Sequence, residues 1–315
     1  MGIRVLKGGM MTTVQDLGRT GYQSQGFSVS GVMDVRSFKI ANLLLDNPEN
    51  EAVLEFTLIG PTLEFTSETI ISITGGDFRP QINGKPAKMY TAIYMHRGDI
   101  LTFGGARTGT RGYIAFSSYL DVPVVMGSRS TNIKCQIGGY KGRKLEDEDY
   151  IAFRAKRRYL PYYLSRSLDL DEFDQEKITL RVVMGPQEKM FTKEGRETFL
   201  NSEYTVTSEF DRMGCRLEGP FIAYKTTSDI ISDGIAFGSV QVPSHGKPII
   251  LLADRQTTGG YAKIATVVSV DIPKLVQRKT AQKVRFQAVS VEEAQKLLAD
   301  EMKELNDFRS QTYTP

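Results

Sequence analysis

The chain has 315 residues, 40% of them apolar, which suffices for a core and argues against disorder. At roughly 100–200 residues per domain, that length means two domains or one large β domain. Its 40 Lys and Arg against 37 Asp and Glu give a net charge of +3, so nothing electrostatic calls for nucleic acid or an anionic membrane.

From Met1 onward no apolar run is long enough for a signal peptide, and no segment approaches ~20 apolar residues. The two cysteines, Cys135 and Cys215, are far apart in sequence. That spacing does not suggest a disulfide framework, and a cytoplasmic location is expected. The first helical pattern covers Val35–Leu45, with Phe38, Ala41, Leu44 and Leu45 on one face and Asp34 as N-cap. Strand patterns follow at Ala52–Leu58, Thr69–Thr74, Ala92–Met95, Ile100–Phe103 and Gly112–Phe116, with turn signals at Asn83-Gly84 and Arg97-Gly98-Asp99. Beyond the middle, Ile178–Met184, Ile249–Ala253 and Ala265–Val270 read the same way. Many short strands and 29 glycines indicate a mainly β chain, built as a sandwich or barrel. A last helix is expected over Ser290–Phe308. Ser290 and Glu293 form a capping box there, and Val291, Ala294, Leu298, Met302 and Leu305 form a stripe expected to pack on the body.

Arg154, Lys156, Arg157 and Arg158, then Pro161, then Asp169, Asp171, Glu172, Asp174 and Glu176 make a block of charge. Such a block predicts a solvated linker. The expected division is a β-barrel domain over residues 1–155, a charged linker over 156–177, a second β-barrel domain over 178–289 and a C-terminal helix and tail over 290–315. Ile3-Arg4-Val5 before Gly8 is echoed by Leu180-Arg181-Val182 before Gly185. These matches are too short to establish duplication.

Several chemistries lack their motifs. There is no Walker-type loop, and Gly104–Gly109 reads GGARTG without the middle glycine of a dinucleotide fingerprint. Only His96 and His245 exist and no C-x-x-C occurs, so no metal is expected on this chain. There is no G-x-S-x-G elbow and no biotin-attachment A-M-K-M sequence, so no covalent biotin is expected either.

Four clusters combine glycine with polar and charged residues. They are Thr13–Tyr22 with Ser30–Asp34 and Ala41–Leu44; Gly127–Thr131; Asp211–Gly219; and Gly238–Pro243 with Asp254–Tyr261 and Lys263. The strings QDLGR-x-G, S-G-x-M-D, A-N-x-L, GSRST, DRMG-x-RL-x-G, QVP-x-x-G-x-P and QTTGGY, in this order, resemble the family of allophanate hydrolase subunit 2, KipA and the 5-oxoprolinase C subunit. They also resemble the carboxyltransferase portion of urea amidolyases. The resemblance runs from about Val5 to Phe286.

It implies two cyclophilin-like β-barrel domains. It also implies a role as the C subunit of an ATP-dependent 5-oxoprolinase complex that hydrolyses 5-oxo-L-proline to L-glutamate, inactive alone. The implied partners are a KipI-type subunit (the B component) and a LamB/YcsF-type subunit (the A component). ATP would be consumed by the complex, at a site on this chain or on a partner. Two alternatives stay open: a regulator that binds a KipI-type inhibitor of a histidine kinase, and a carboxyltransferase component acting on a urea-like acceptor.

On that reading Lys263, Tyr261 and Gln256 are the catalytic candidates. Gly259 and Gly260 allow close backbone approach. Thr257 and Thr258, with Gln256, offer hydroxyl and amide groups to a lactam or urea-like amide. Arg255 and Lys263 offer cations to a carboxylate or phosphate. The same residues also suit a structural turn. Arg129 and Ser130 suit an anion-binding turn. Gln15, Asp16 and Arg19, and Arg212 beside Asp211, are further substrate-binding candidates, with local turn pairs or a structural network as the other reading. Arg216 with Glu218 is expected in that network.

Overall fold

In the computed structural model, residues 1–156, 159–170 and 173–312 are described. Arg157, Arg158, Asp171 and Glu172 of the expected linker lie outside them. The chain divides into two compact units. The first comprises Met1–Thr20, Ser30–Asp174 and Lys303–Pro315; the second comprises Gly21–Val29 and Gln175–Met302.

The first unit contains β1 (Gly2–Lys7), β2 (Met11–Gln15), β3 (Val53–Thr57), β4 (Thr62–Phe65), β5 (Thr69–Gly75) and β6 (Gln81–Ile82). After these come β7 (Lys85–Pro86), β8 (Ala92–Met95), β9 (Ile100–Thr102), β10 (Arg111–Phe116) and β11 (Tyr150–Ala152). They form a six-stranded sheet, β11-β1-β4-β9-β6-β7, and a five-stranded sheet, β2-β3-β10-β5-β8. Ile3, Val5, Leu63 and Phe65 of one sheet share a core with Leu54, Phe56, Ile73 and Ile114 of the other. The opposite face of the five-stranded sheet is covered by α1 (Val35–Leu44), whose Phe38 and Ala41 pack with Val53, Ile70 and Tyr113. Burial on both faces explains why β5 reads as an unbroken run, TIISITG, rather than an alternation. As predicted, Asp34 caps α1, its Oδ1 accepting from the Ser37 amide at 2.9 Å.

The second unit contains β12 (Lys177–Met184), β13 (Tyr204–Phe210), β14 (Gly214–Glu218), β15 (Asp229–Gly234) and β16 (Ser239–Gln241). It continues with β17 (Ile249–Leu251), β18 (Thr258–Tyr261), β19 (Lys263–Val267) and β20 (Lys283–Ala288). Seven of these close into a barrel in the order β12-β19-β16-β17-β14-β13-β20, sealed by parallel pairing of β12 with β20. Alternate residues such as Ile178, Leu180 and Val182 are buried, the period-two pattern of a strand with one face inside. Helix α2 (Lys193–Asn201) stacks Phe199 on Phe286 of β20 with centroids 4.4 Å apart. The short α3 (Ile272–Val276) begins with proline in its first turn. The remaining strands, β15 and β18, pair with each other as a two-stranded ribbon. The chain is thus mainly β; the closed ring belongs to the second unit, and the first has two sheets.

Two expectations need correction. Leu160, Arg166, Leu168 and Phe173, within the charged segment, are buried in spite of their acidic and basic neighbours. Apolar residues spaced between the charges pull that segment onto protein. The final helix, α4 (Val291–Thr312), starts with the predicted capping box: Glu293 N donates to Ser290 Oγ at 3.1 Å, and Ser290 N donates to Glu293 Oε2 at 2.8 Å. Its stripe does not pack throughout. Leu305 is buried with Ile40 and Leu44, whereas Val291, Leu298 and Met302 are exposed. Among the described residues, no helix is long and apolar enough to cross a membrane.

Candidate functional site

The predicted site residues divide between the two units. Gln15, Asp16, Arg19, Arg129 and Ser130 come together in the first. Asp16, at the end of β2, is buried. Its Oδ1 accepts from Ser128 Oγ and Ser130 Oγ, each at 2.6 Å, and from the Gly18 amide at 2.8 Å. Its Oδ2 accepts from the Arg129 amide at 2.6 Å. Four donors on one carboxylate tie the QDLG turn to the GSRST loop. Arg19 donates to the Ser130 carbonyl. The Gln15 amide donates to Thr13 Oγ1 at 3.0 Å and to the Thr131 carbonyl at 3.2 Å.

The remaining candidates lie in the second unit. Arg212 pairs with Asp254 (Nε to Oδ2, 2.8 Å) rather than serving a network with Asp211. Asp211 instead accepts from the Met213 and Gly214 amides and shapes their turn. Nor does Arg216 pair with Glu218. It meets Glu209 at 2.9 Å, while Glu218 meets Lys247. Both are exposed surface pairs, so they stabilise little. Arg255 donates to the carbonyls of Ile235 at 3.0 Å and Leu252 at 3.2 Å. It also lies over the Phe237 ring, and burial pushes its pKa down. Ser28, from Gly21–Val29, donates to the Arg255 carbonyl at 2.8 Å.

Lys263 opens β19 directly opposite Gln241 of β16. Cross-strand partners share a face of the sheet. Val240 and Ile250 are fully buried, so Gln241, Lys263 and Ile249 belong to the other face of the barrel wall. The β15–β18 ribbon covers that face. Lys263 is only 4% exposed. Its ammonium donates to Asp233 Oδ2 at 2.8 Å and to the Gly234 carbonyl at 3.2 Å, both on β15. The Asp233 side chain is 54% exposed, and the Lys263 ammonium, foremost, holds its carboxyl below the usual aspartate range. Its own chain neighbourhood gave no hint of this partner.

At Gly259 the ribbon passes close to Gln241. A Cβ there would stand 2.7 Å from Ile235 Cδ1 and 2.8 Å from Gln241 Nε2, so the glycine answers to a close approach rather than to a turn. Beside the ribbon runs a cleft of about 470 Å³, lined by Gln241, Gln256, Tyr261, Ile249, Leu251 and residues of the β13–β14 hairpin, Arg216 among them. The cleft therefore gathers two of the three catalytic candidates, and Gln241 alongside them. Thr257 and Thr258 are used by the ribbon itself: the Thr257 carbonyl accepts from the Ile235 amide at 3.0 Å, and Thr258 pairs with Gly234. Gln241 was not among the candidates, although its QVP string was visible. Among the described residues, no group of three or more His, Cys, Asp or Glu is placed to hold a metal.

The cleft in the barrel's flank thus combines amide and phenol groups with the charged Glu209, Asp211 and Arg216 and the apolar Ile249 and Leu251. The chain belongs to the carboxyltransferase domain family: a family model described as "Carboxyltransferase domain, subdomain A and B" matches residues 25–288. The 5-oxoprolinase C subunit of Escherichia coli (strain K12) is 33% identical over 308 residues, 96% of this chain and 96% of its own length. The protein of the same name from Haemophilus influenzae is 34% identical over 285 residues, 90% of each chain. The crystal structure of the K. lactis urea amidolyase superposes with a TM-score of 0.90 at 29% identity over 98% of this chain. This chain spans only 20% of that much longer protein.

Proposed function

We propose that this chain is the C subunit of an ATP-dependent 5-oxoprolinase, and that the cleft beside β18 holds the lactam. One observation carries the reading: the match to the two 5-oxoprolinase C subunits covers nearly the whole of each chain. The chemistry of the cleft supports it, since Gln256, Gln241 and Tyr261 offer amide and phenol groups to a lactam, beside the charged Glu209, Asp211 and Arg216.

A lactam resists hydrolysis because the nitrogen lone pair is delocalised into the carbonyl. ATP-driven phosphorylation of the amide oxygen would remove that resistance. The share of this chain is to bind and orient the ring. The nucleotide site belongs to the complex, on this chain or on a partner, and the partners are a KipI-type protein and a LamB/YcsF-type protein. The test is reconstitution. The chain alone gives negligible glutamate from 5-oxo-L-proline, and the three proteins with ATP give glutamate and ADP together. Full turnover by the isolated chain, or none by a verified assembly, refutes the reading.

The TM-score of 0.90 to the urea amidolyase favours one second reading, carboxyl transfer to a urea-like acceptor. It predicts that urea-dependent turnover appears only when a carboxylated biotin-bearing partner is supplied.

A further inference from the structure

We infer that Gln241 reads the ligand in the cleft, and that it selects an amide locked in the cis form. Gln241 ends β16 and is only 6% exposed, yet its side chain lines the cleft. A carboxamide has two N–H donors and two acceptor lone pairs. Nε2 reaches the Tyr261 carbonyl only at 3.5 Å, the outer limit of a hydrogen bond. A buried carboxamide is ordinarily well bonded. Here one side is fixed by the barrel strand, and Gly259 lies so close above Nε2 that no side chain fits between. Among the described residues the carboxamide makes no other side-chain hydrogen bond, and it belongs to the cleft wall, so its carbonyl and second N–H are left for a ligand.

That capacity has a definite shape. The carboxamide presents C=O and N–H along one edge. A lactam, closed by its ring, presents N–H and C=O along one edge too. The two edges meet as an antiparallel pair of hydrogen bonds, Gln241 N–H to the ring carbonyl and ring N–H to the Gln241 carbonyl. Urea offers the same edge. An open-chain secondary amide is trans and points the two groups to opposite sides, so it makes one bond and not the pair. The chemistry selects cis amides over peptides. The identity of the ligand as 5-oxoproline rests on the function proposed above; the preference for a cis amide does not.

Calorimetric titration of the full chain, alone and with its KipI-type partner, tests this. 5-Oxo-L-proline is compared with its N-methyl derivative, with urea, and with N-acetylglycine as the trans amide. The wild-type chain is expected to bind the lactam at least tenfold more tightly than the N-methyl derivative or the trans amide. Gln241→Met, which keeps length and apolar volume, should lose about 10- to 100-fold in lactam affinity and, with it, the preference. Equal binding of lactam and N-methyl lactam by the wild type overturns the inference. So does unchanged lactam preference in a folded Gln241→Met chain, and so does the absence of binding by every cis amide. If the variant fails to fold, the N-methyl comparison on the wild type decides alone. Binding of urea but not of 5-oxoproline, lost in Gln241→Met, upholds the inference and sinks the oxoprolinase reading. Binding of 5-oxoproline with no dependence on Gln241 does the reverse.

Discussion

At the scale of residues, Lys263 and Asp233 form an unequal pair. The lysine is buried and the aspartate half in water. An anionic ligand arriving from solvent would compete with Asp233 for the ammonium, which the Gly234 carbonyl also holds. Lys263→Met removes the charge and keeps a side chain of similar length. The partner left behind, Asp233, is half in water, so the exchange leaves no buried charge unpaired. The expected outcome is therefore a melting temperature within about 3 °C of wild type. The kcat/KM of the assembled complex should fall about 10- to 100-fold, the loss of one charge-assisted contact. Wild-type kinetics would take this lysine out of the site, and a collapse in melting temperature would make it a structural residue. The density of glycine, amide and cation over 254–263 was legible along the sequence. What that density could not convey was commitment. Arg212 is bound to Asp254, 42 positions away, and Lys263 to Asp233, 30 positions away, and such partners are assigned by folding alone.

Among the elements, α3 is fixed to the barrel by one acid. Asp271, immediately before the helix, is fully buried. Arg181 of β12 reaches it through Nε and the backbone N–H, each at 2.8 Å, and through its terminal nitrogen at 2.5 Å. Lys274 adds 2.8 Å from one turn on. Burial alone would raise its carboxyl, but these bonds outweigh burial and hold it below the ordinary aspartate value. A depressed folded-state pKa contributes stability in full above the unfolded value of about 3.9, and loses it as pH falls through the folded one. Thermal unfolding between pH 2 and 7 should show the melting temperature dropping below about pH 4. Asp271→Asn should flatten that drop and lower stability at pH 7 by about 3 kcal/mol, the lower end for breaking a buried pair. An unchanged acid limb in the variant would assign it to other carboxylates. The elements most legible in sequence were those with a strong burial signature. The β5 run is buried on both faces and α1 carries its cap. By contrast, the β15 strand DIISDG is exposed at most positions, with Ile231 94% exposed, so it shows neither alternation nor an apolar run. Helix α2 buries only Gly195 and Phe199, too little to register as a stripe.

The whole molecule is organised by two exchanges of chain. Gly21–Val29 belongs to the second unit although its flanks lie in the first, and α4 ends in the first unit although it follows the second. Leu305 is buried with Ile40 and Leu44, and Glu304 pairs with Arg36 through two bonds of 2.9 and 3.0 Å. Toward the end of the first unit's long segment, Tyr159 and Leu164 are 85% and 82% exposed, good sites for a protease. Brief chymotrypsin treatment should cut there first. The two fragments should still co-elute on size exclusion under native conditions, because each carries a segment that completes the other's unit. Separation of the fragments without denaturant would show that the exchanged segments hold too weakly to matter.

Those exchanges also impose an order on biosynthesis. A ribosome releases the sheets of the first unit long before it releases Glu304 and Leu305. Until then Ile40 and Leu44 lack the side chain that finally covers them. The first unit must wait, its surface incomplete, through translation of the entire barrel that follows it. A stop codon placed ahead of α4 would therefore injure the part of the protein made earliest.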